Sequence, residues 1–193
     1  GWNISWMGST VKNKVLKLPN TAPEIIKAVY SIKEAMPINT FYMAKSAGVD
    51  PATGAQLYWV YDKDENGNII NERISDDYSK ASTSKYYQGN RIPDLYGSIG
   101  TDFSYKGFDL SVLTSYSIGG KIYDSLYTGS MNAQYATNTW NKHQLRRWQK
   151  PGDITDVPRV EINGAYTTTD RFLINASYFA IKNITLGYSL PKD

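Results

Sequence analysis

Leu95-Tyr-Gly-Ser-Ile-Gly-Thr-Asp-Phe-Ser-Tyr105, Lys106-Gly107 and Phe108-Asp-Leu-Ser-Val-Leu-Thr-Ser-Tyr-Ser-Ile118 form the stretch whose reading decides the fold. Taking every second residue of the first half puts Leu95, Gly97, Ile99, Thr101, Phe103 and Tyr105 on one face, and Tyr96, Ser98, Gly100, Asp102 and Ser104 on the other. After Lys106-Gly107 the alternation resumes, with Phe108, Leu110, Val112, Thr114, Tyr116 and Ile118 set against Asp109, Ser111, Leu113, Ser115 and Ser117. Period two means a strand, so this is a β-hairpin with one apolar and one polar face. Gly107 tolerates the positive φ that a two-residue turn demands. Each half is 11 residues long, at the upper end of the roughly 9–11 that a tilted strand needs to cross a bilayer. Strands of globular proteins stop nearer to about 5 or 6. A hairpin alone fits a soluble core as well as a membrane, because each transmembrane strand signals weakly.

The composition moves the balance. Sixteen tyrosines and five tryptophans accompany a negative mean hydropathy, as expected of a membrane barrel with aromatic girdles and polar loops, and also of surfaces that stack on sugars. The net charge of +3 and the short basic run Arg146-Arg147 argue against nucleic acid. Without cysteine the chain has no disulfide framework and no thiolate metal site. No apolar run reaches the roughly 18 residues of a membrane helix, which leaves barrel strands untouched. The opening Gly1-Trp2-Asn3-Ile4 starts inside an alternating pattern and shows no signal peptide, so a piece of a longer chain is expected.

Two further stretches alternate. Trp2, Ile4 and Trp6 oppose Asn3, Ser5 and Ser9, and toward the end Ile184, Leu186, Tyr188 and Leu190 oppose Asn183, Thr185, Gly187 and Ser189. Four strands are therefore expected, near residues 2–12, 95–105, 108–118 and 178–190, joined by a long connection over 13–94, the two-residue turn, and a second long connection over 119–177. Short turns on one side and long loops on the other are the habit of outer-membrane barrels, whereas a soluble sandwich would show turn signals every 8–12 residues or so. The fold class is all-β, an antiparallel transmembrane barrel segment with long extracellular loops. About 8 strands are needed to close a barrel, so four would leave open edges.

Within the connections several residues invite chemistry. Residues 24–36 read equally as a helix, opened by the capping-box pattern Thr21-Ala22-Pro23-Glu24, or as extended chain. Asp62, Asp64, Asn66 and Gly67 match the first ligands of a calcium loop, but position 12 is Arg73 where a bidentate glutamate belongs, and Asn66-Gly67 between strand-like runs predicts a hairpin turn instead. His143 is the only histidine; with no Cys, no transition-metal site is expected, and no nucleophile and base are spaced for catalysis. A solvent-facing loop position is expected for it. No enzyme activity and no cofactor are predicted.

Particular motifs then bring a family into view. Tyr105-Lys-Gly-Phe-Asp-Leu-Ser111, Ala47-Gly-Val-Asp-Pro-Ala-Thr-Gly54, Pro151-Gly-Asp-Ile-Thr-Asp-Val-Pro-Arg159, Asp170-Arg-Phe-Leu173 and Lys182-Asn-Ile-Thr-Leu-Gly-Tyr-Ser-Leu-Pro191 together resemble the SusC/RagA family of TonB-dependent outer-membrane transporters. The resemblance implies a 22-stranded barrel of which this chain is a late portion without the N-terminal plug, in the bacterial outer membrane. It also implies a SusD-like lipoprotein partner over the mouth, coupling to TonB through a region not present here, and import of oligosaccharides or peptides. In such a barrel Asp102, Asp109, Ser111, Ser115, Asn183 and Thr185 face the lumen, and Tyr123, Tyr127, Tyr135, Trp140 and Trp148 are candidate contacts to substrate or partner. Where the family carries Asn-Pro, this chain reads Arg91-Ile-Pro-Asp-Leu-Tyr-Gly-Ser98, which leaves the register there open by about a residue. The competing reading is a soluble, secreted β-rich carbohydrate-binding module; an outer-membrane enzyme in barrel form is a third.

Overall fold

The computed structural model describes residues 1–132, 139–161 and 168–191. In chain order it forms β1 (Trp2–Ser9), β2 (Glu24–Lys27), β3 (Tyr30–Lys33), β4 (Thr40–Met43), β5 (Lys45–Val49), β6 (Gln56–Lys63), β7 (Ile69–Ser75), α1 (Tyr78–Thr83), β8 (Tyr86–Asn90), β9 (Leu95–Tyr105), β10 (Phe108–Ile118), β11 (Lys121–Tyr123), α2 (Ser125–Ser130), β12 (Leu173–Asn175) and β13 (Tyr178–Tyr188). All sheets are antiparallel. Among the described residues no helix is long and apolar enough to cross a membrane, which says nothing of β-strands.

The organising unit is an open four-stranded sheet in the order β1-β9-β10-β13. The turn between β9 and β10 has φ of 48° at Lys106 and 86° at Gly107. Two consecutive left-handed residues match the twist of the flanking strands. Tyr105 faces Phe108 and Leu95 faces Ile118, so the register left open around residues 91–98 is that of unbroken alternation. Cross-strand partners share a face. On one side lie the rungs Tyr105/Phe108/Tyr188, Trp2/Phe103/Leu110/Leu186, Ile4/Thr101/Val112/Ile184, Trp6/Ile99/Thr114/Ile181 and Gly8/Gly97/Tyr116/Phe179.

β13 keeps that face only because of a bulge. The register slips between Leu113 and Thr114, leaving Lys182 without a partner. Ile184, Leu186 and Tyr188 occupy even positions, whereas Phe179 and Ile181 occupy odd ones. One unpaired residue brings both sets to the same side. The outer strands are shorter than the sequence predicts: β1 ends at Ser9, whose partner is Tyr96, just short of where Pro93 and the start of β9 end the ladder. β13 ends at Tyr188, followed by one more bond from the Ser189 N–H to the Gly107 carbonyl (2.7 Å).

The long connections are folded bodies. Residues 10–94 carry a sheet β2-β3-β4-β8 and a sheet β5-β6-β7, with Ala44, Tyr58, Val60 and Ala81 packed between β6 and α1. Residues 24–33 are a hairpin, which settles the helix-or-extended alternative. Its turn puts Ala28 at φ 50°, and the Glu24 carboxylate accepts from the Ser31 hydroxyl across the hairpin (2.5 Å). A capping-box glutamate would have bonded its own helix start. In the second connection Met131, Val157 and Phe172 form a core, and Asp124 caps α2 by accepting from the Tyr127 N–H (2.8 Å).

Candidate functional site

The two faces of the open sheet treat their polar atoms differently. On the apolar face, the Trp2 indole N–H donates to the Thr101 hydroxyl (2.8 Å), which donates to the Asn3 carbonyl (3.2 Å). Thr114 donates to the Ile99 carbonyl (2.9 Å) and Tyr116 to the Met7 carbonyl (3.0 Å). Tyr116 reaches Met7 by lying across the facing pair Gly8 and Gly97, where a side chain would collide with its hydroxyl or with the Met7 carbonyl. These polar groups are satisfied within the sheet, as a surface without water requires. The apolar side chains around them are open, with Trp2 71%, Trp6 67% and Leu186 73% exposed.

On the opposite face all six residues expected to be lumenal fall together. Asp102, Ser111 and Thr185 form one rung with Asn3, while Asp109 sits with Ser104, Asn183 with Leu113, and Ser115 with Ser98. Asn183 donates to Thr185 (3.1 Å). Asp102, Asp109 and Ser111 make no side-chain hydrogen bond among the described residues. A concavity of about 580 Å³ runs along this end of the sheet, lined among others by Asn3, Asp102, Ser104, Asp109, Ser111 and Thr185. Asn3 and Ser104 were missing from the expected set, although the same alternation places them there.

Beyond the sheet, the two connections interlock through the quoted motifs. Within Ala47–Gly54, Asp50 builds its own turn by accepting from the Ala52 N–H (2.9 Å) and the Thr53 hydroxyl (2.6 Å), and these bonds hold its carboxyl below the usual range. Gly54, at φ +73°, leaves room for the Trp148 ring, which a Cβ there would overlap. The Trp148 indole donates to the Pro51 carbonyl (2.9 Å). Gly152 N–H donates to Pro51 (2.8 Å), Arg159 N–H to the Gly54 carbonyl (2.9 Å), and the Arg159 guanidinium to the Thr53 carbonyl (2.8 Å). A second seam joins Ala44 to Thr169 as a bridge, with the Ser46 N–H donating to Asp170 Oδ1 (2.7 Å). Burial raises the Asp170 carboxyl above its ordinary value, against the pull of the Ser46 bond and of Lys45 and Lys121.

The candidate contact aromatics are placed as follows. Tyr123 and Tyr127 pack on Met131, Val157 and Phe172, and Trp148 is held in the interlock. Trp140 is 37% exposed; Tyr135 lies outside the described residues. His143 is half-buried, its Nδ1 bonded to the Tyr127 hydroxyl (3.0 Å) on a 3-10 turn over Lys142–Arg146, which corrects the expectation of a solvent-facing loop position. At the calcium candidate, Asp64 Oδ1 accepts from the Asn66 and Asn68 N–H groups (2.9 and 2.8 Å), while Asp62 pairs with Arg73. Those bonds lower both carboxyls. Gly67 has φ +83°, so these oxygens serve the hairpin turn predicted at Asn66-Gly67.

No family model matches the chain. It is similar to TonB-dependent receptor P3 of Formosa agariphila, 27% identical over 218 aligned positions that take in all of this chain and 20% of that protein. A second relative, TonB-dependent receptor P39 of the same organism, is 31% identical over 134 positions, covering 66% of this chain and 13% of the relative. Among solved structures the RagAB peptide transporter superposes with a TM-score of 0.76 at 25% identity, over 98% of this chain and 21% of its own. This chain thus spans about a fifth or less of the length of these relatives.

Proposed function

We infer, for a chain of the SusC/RagA type of TonB-dependent outer-membrane transporters, that its four long strands are barrel wall and its two folded connections part of the extracellular mouth. The barrel to which it belongs imports oligosaccharides or peptides, closes on 22 strands, works with a SusD-like lipoprotein over its mouth, and draws energy through TonB. The observation that carries this reading is the asymmetry of the wall. Thr101, Thr114, Tyr116 and the Trp2 indole on its apolar face are bonded within the sheet, while Asp102, Asp109 and Ser111 on the other face make no side-chain hydrogen bond among the described residues. From the rung of Phe108 to that of Ile118 there are ten steps, about 33 Å along the strand at roughly 3.3 Å each. Tilted by about 40°, that is about 25 Å, the height of a barrel's apolar band.

Tyr105, Phe108 and Tyr188 then form the periplasmic girdle beside Lys106-Gly107; Phe108 and Tyr188 pack with ring centres 4.5 Å apart. Asp102, Asp109, Ser111, Ser115, Asn183 and Thr185 offer hydrogen bonds to a polar substrate or to the plug. Of the aromatic contacts first considered, Trp140 retains an exposed ring, while Tyr123, Tyr127 and Trp148 shape the mouth from within. The soluble binding module draws no support from a sheet face that is left exposed among the described residues.

The test is mild-detergent purification of the full-length protein from native outer membranes, with identification of what comes with it. Recovery in the detergent phase with a lipoprotein and a bound oligosaccharide or peptide is expected. Recovery in the aqueous phase as a compact monomer would overturn the reading.

A further inference from the structure

The body formed by residues 10–94 carries a run of aromatic rings capped by ammonium groups, unused by the wall or the interlock. Lys45 Nζ sits over both Trp59 and Tyr86, 5.4 and 5.3 Å from their centres. Tyr86 meets Tyr61 edge-on at 4.9 Å, and Lys63 lies 5.1 Å over Tyr61. The Tyr61 hydroxyl donates to the Lys85 carbonyl (2.6 Å), joining β6 to the residue before β8. Tyr42 stacks on Tyr87 at 4.7 Å, with Lys85 over Tyr42 at 5.9 Å and Lys33 over Tyr87 at 5.3 Å. The rings thus hold four lysines in fixed places.

Asp170 lies within electrostatic reach of Lys45 and Glu24 faces Lys33 across the ladder, yet neither carboxylate closes an ion pair with its lysine. The carboxylates in this run are Glu24, which accepts from Tyr87 (2.8 Å), and Glu72, which accepts from Tyr86 (2.7 Å); both serve phenols. Among the described residues, none of Lys33, Lys45, Lys63 and Lys85 makes an ion pair. Tyr87, Tyr42 and Tyr86 each have a neighbouring ring and an ammonium group against them: Tyr42 and Lys33, Tyr87 and Lys85, and Tyr61 and Lys45 respectively. What the run presents is ammonium, and its complement is carboxylate in an extended chain with hydrogen-bonding backbone.

We propose that Lys33, Lys45, Lys63 and Lys85, held on their rings, dock an acidic polypeptide segment. The site goes beyond the transport reading, since it uses no residue of the wall. Its test uses full-length protein in detergent and fluorescein-labelled octaglutamate, followed by anisotropy at low ionic strength, where exposed charge is least screened. Saturable binding is expected, weakened at least about tenfold when all four lysines become Gln. Changing all four to Arg, which keeps charge and ring stacking, is expected to preserve it and shows that the body still folds. Lys12, Lys14 and Lys17, also on the first connection, serve as the control when changed to Gln and are expected to matter little. Absence of saturable binding, equal binding by the four-Gln variant, an equal loss in the control, or preference for an oligogalacturonate of matched charge would overturn the proposal.

Discussion

A single methyl group at residue 54 tests the interlock between the two connections. Gly54 is left-handed and in contact with the Trp148 ring, so Gly54→Ala meets both backbone strain and a clash. It is expected to destabilise the seam by about 1–3 kcal/mol, read as faster proteolysis or hydrogen exchange over residues 47–54 and 148–159 with the wall unaffected. Unchanged exchange there would remove the seam from the account. Asp170 tests the second seam. Its folded carboxyl is raised above its unfolded value, so the folded state holds its proton to higher pH than the unfolded state does. Stability from this group is therefore greatest in acid and falls as pH rises from the ordinary carboxylate range through the raised value. Asp170→Asn keeps an acceptor for Ser46 without the charge, and is expected to hold or improve protection of the Ser46 amide at neutral pH and to flatten its pH dependence. Asp170→Ala removes the acceptor and is expected to cost about 1–3 kcal/mol, which is roughly 5- to 150-fold faster exchange.

At the scale of elements, the β9–β10 hairpin was legible because nothing interrupts its alternation and its turn residues suit the turn. β13 was legible only in its second half, because the unpaired Lys182 shifts the pattern by one residue. That bulge makes a sharp prediction. Deleting Lys182 leaves Phe179, Ile181, Ile184, Leu186 and Tyr188 in strict alternation, so the strand is expected to assemble with near-normal heat-modifiable migration. Deleting Ile181 instead turns Lys182 outward, at a cost of about 2–4 kcal/mol if it lands near mid-bilayer, with loss of the folded band. Ile184→Arg is expected to do the same, whereas Thr185→Arg, one residue on and facing the other way, is expected to be tolerated. The hairpin β2–β3 was not legible: its Ile and Val suit a strand, but Ile25, Val29 and Ile32 also have helical spacing. Tertiary pairing to β4 decides what local pattern left open.

For the whole molecule, the sequence put Asp102, Asp109, Ser111, Ser115, Asn183 and Thr185 on one shared face of the sheet because period-two alternation carries that information directly. It left the role of the loop aromatics open, since nothing local distinguishes a Trp that packs on Gly54 from one that waits for a ligand. The resemblance motifs Ala47–Gly54 and Pro151–Arg159 gain a physical meaning in the structure: far apart in sequence, they are two sides of one seam. The lysine run was invisible for the same reason, being assembled from five strands and the residue before one of them. The central claim is that the apolar face of the long sheet meets lipid. Single cysteines at 109, 110, 111, 112, 183, 184, 185 and 186 of the full-length protein in lipid vesicles, each carrying a nitroxide, report contact with dissolved oxygen against a water-soluble nickel complex. The account predicts that 110, 112, 184 and 186 favour oxygen and 109, 111, 183 and 185 favour the nickel complex. Labels at 110, 112, 184 and 186 shielded from both, as in a packed soluble core, or a pattern without period two, would contradict it.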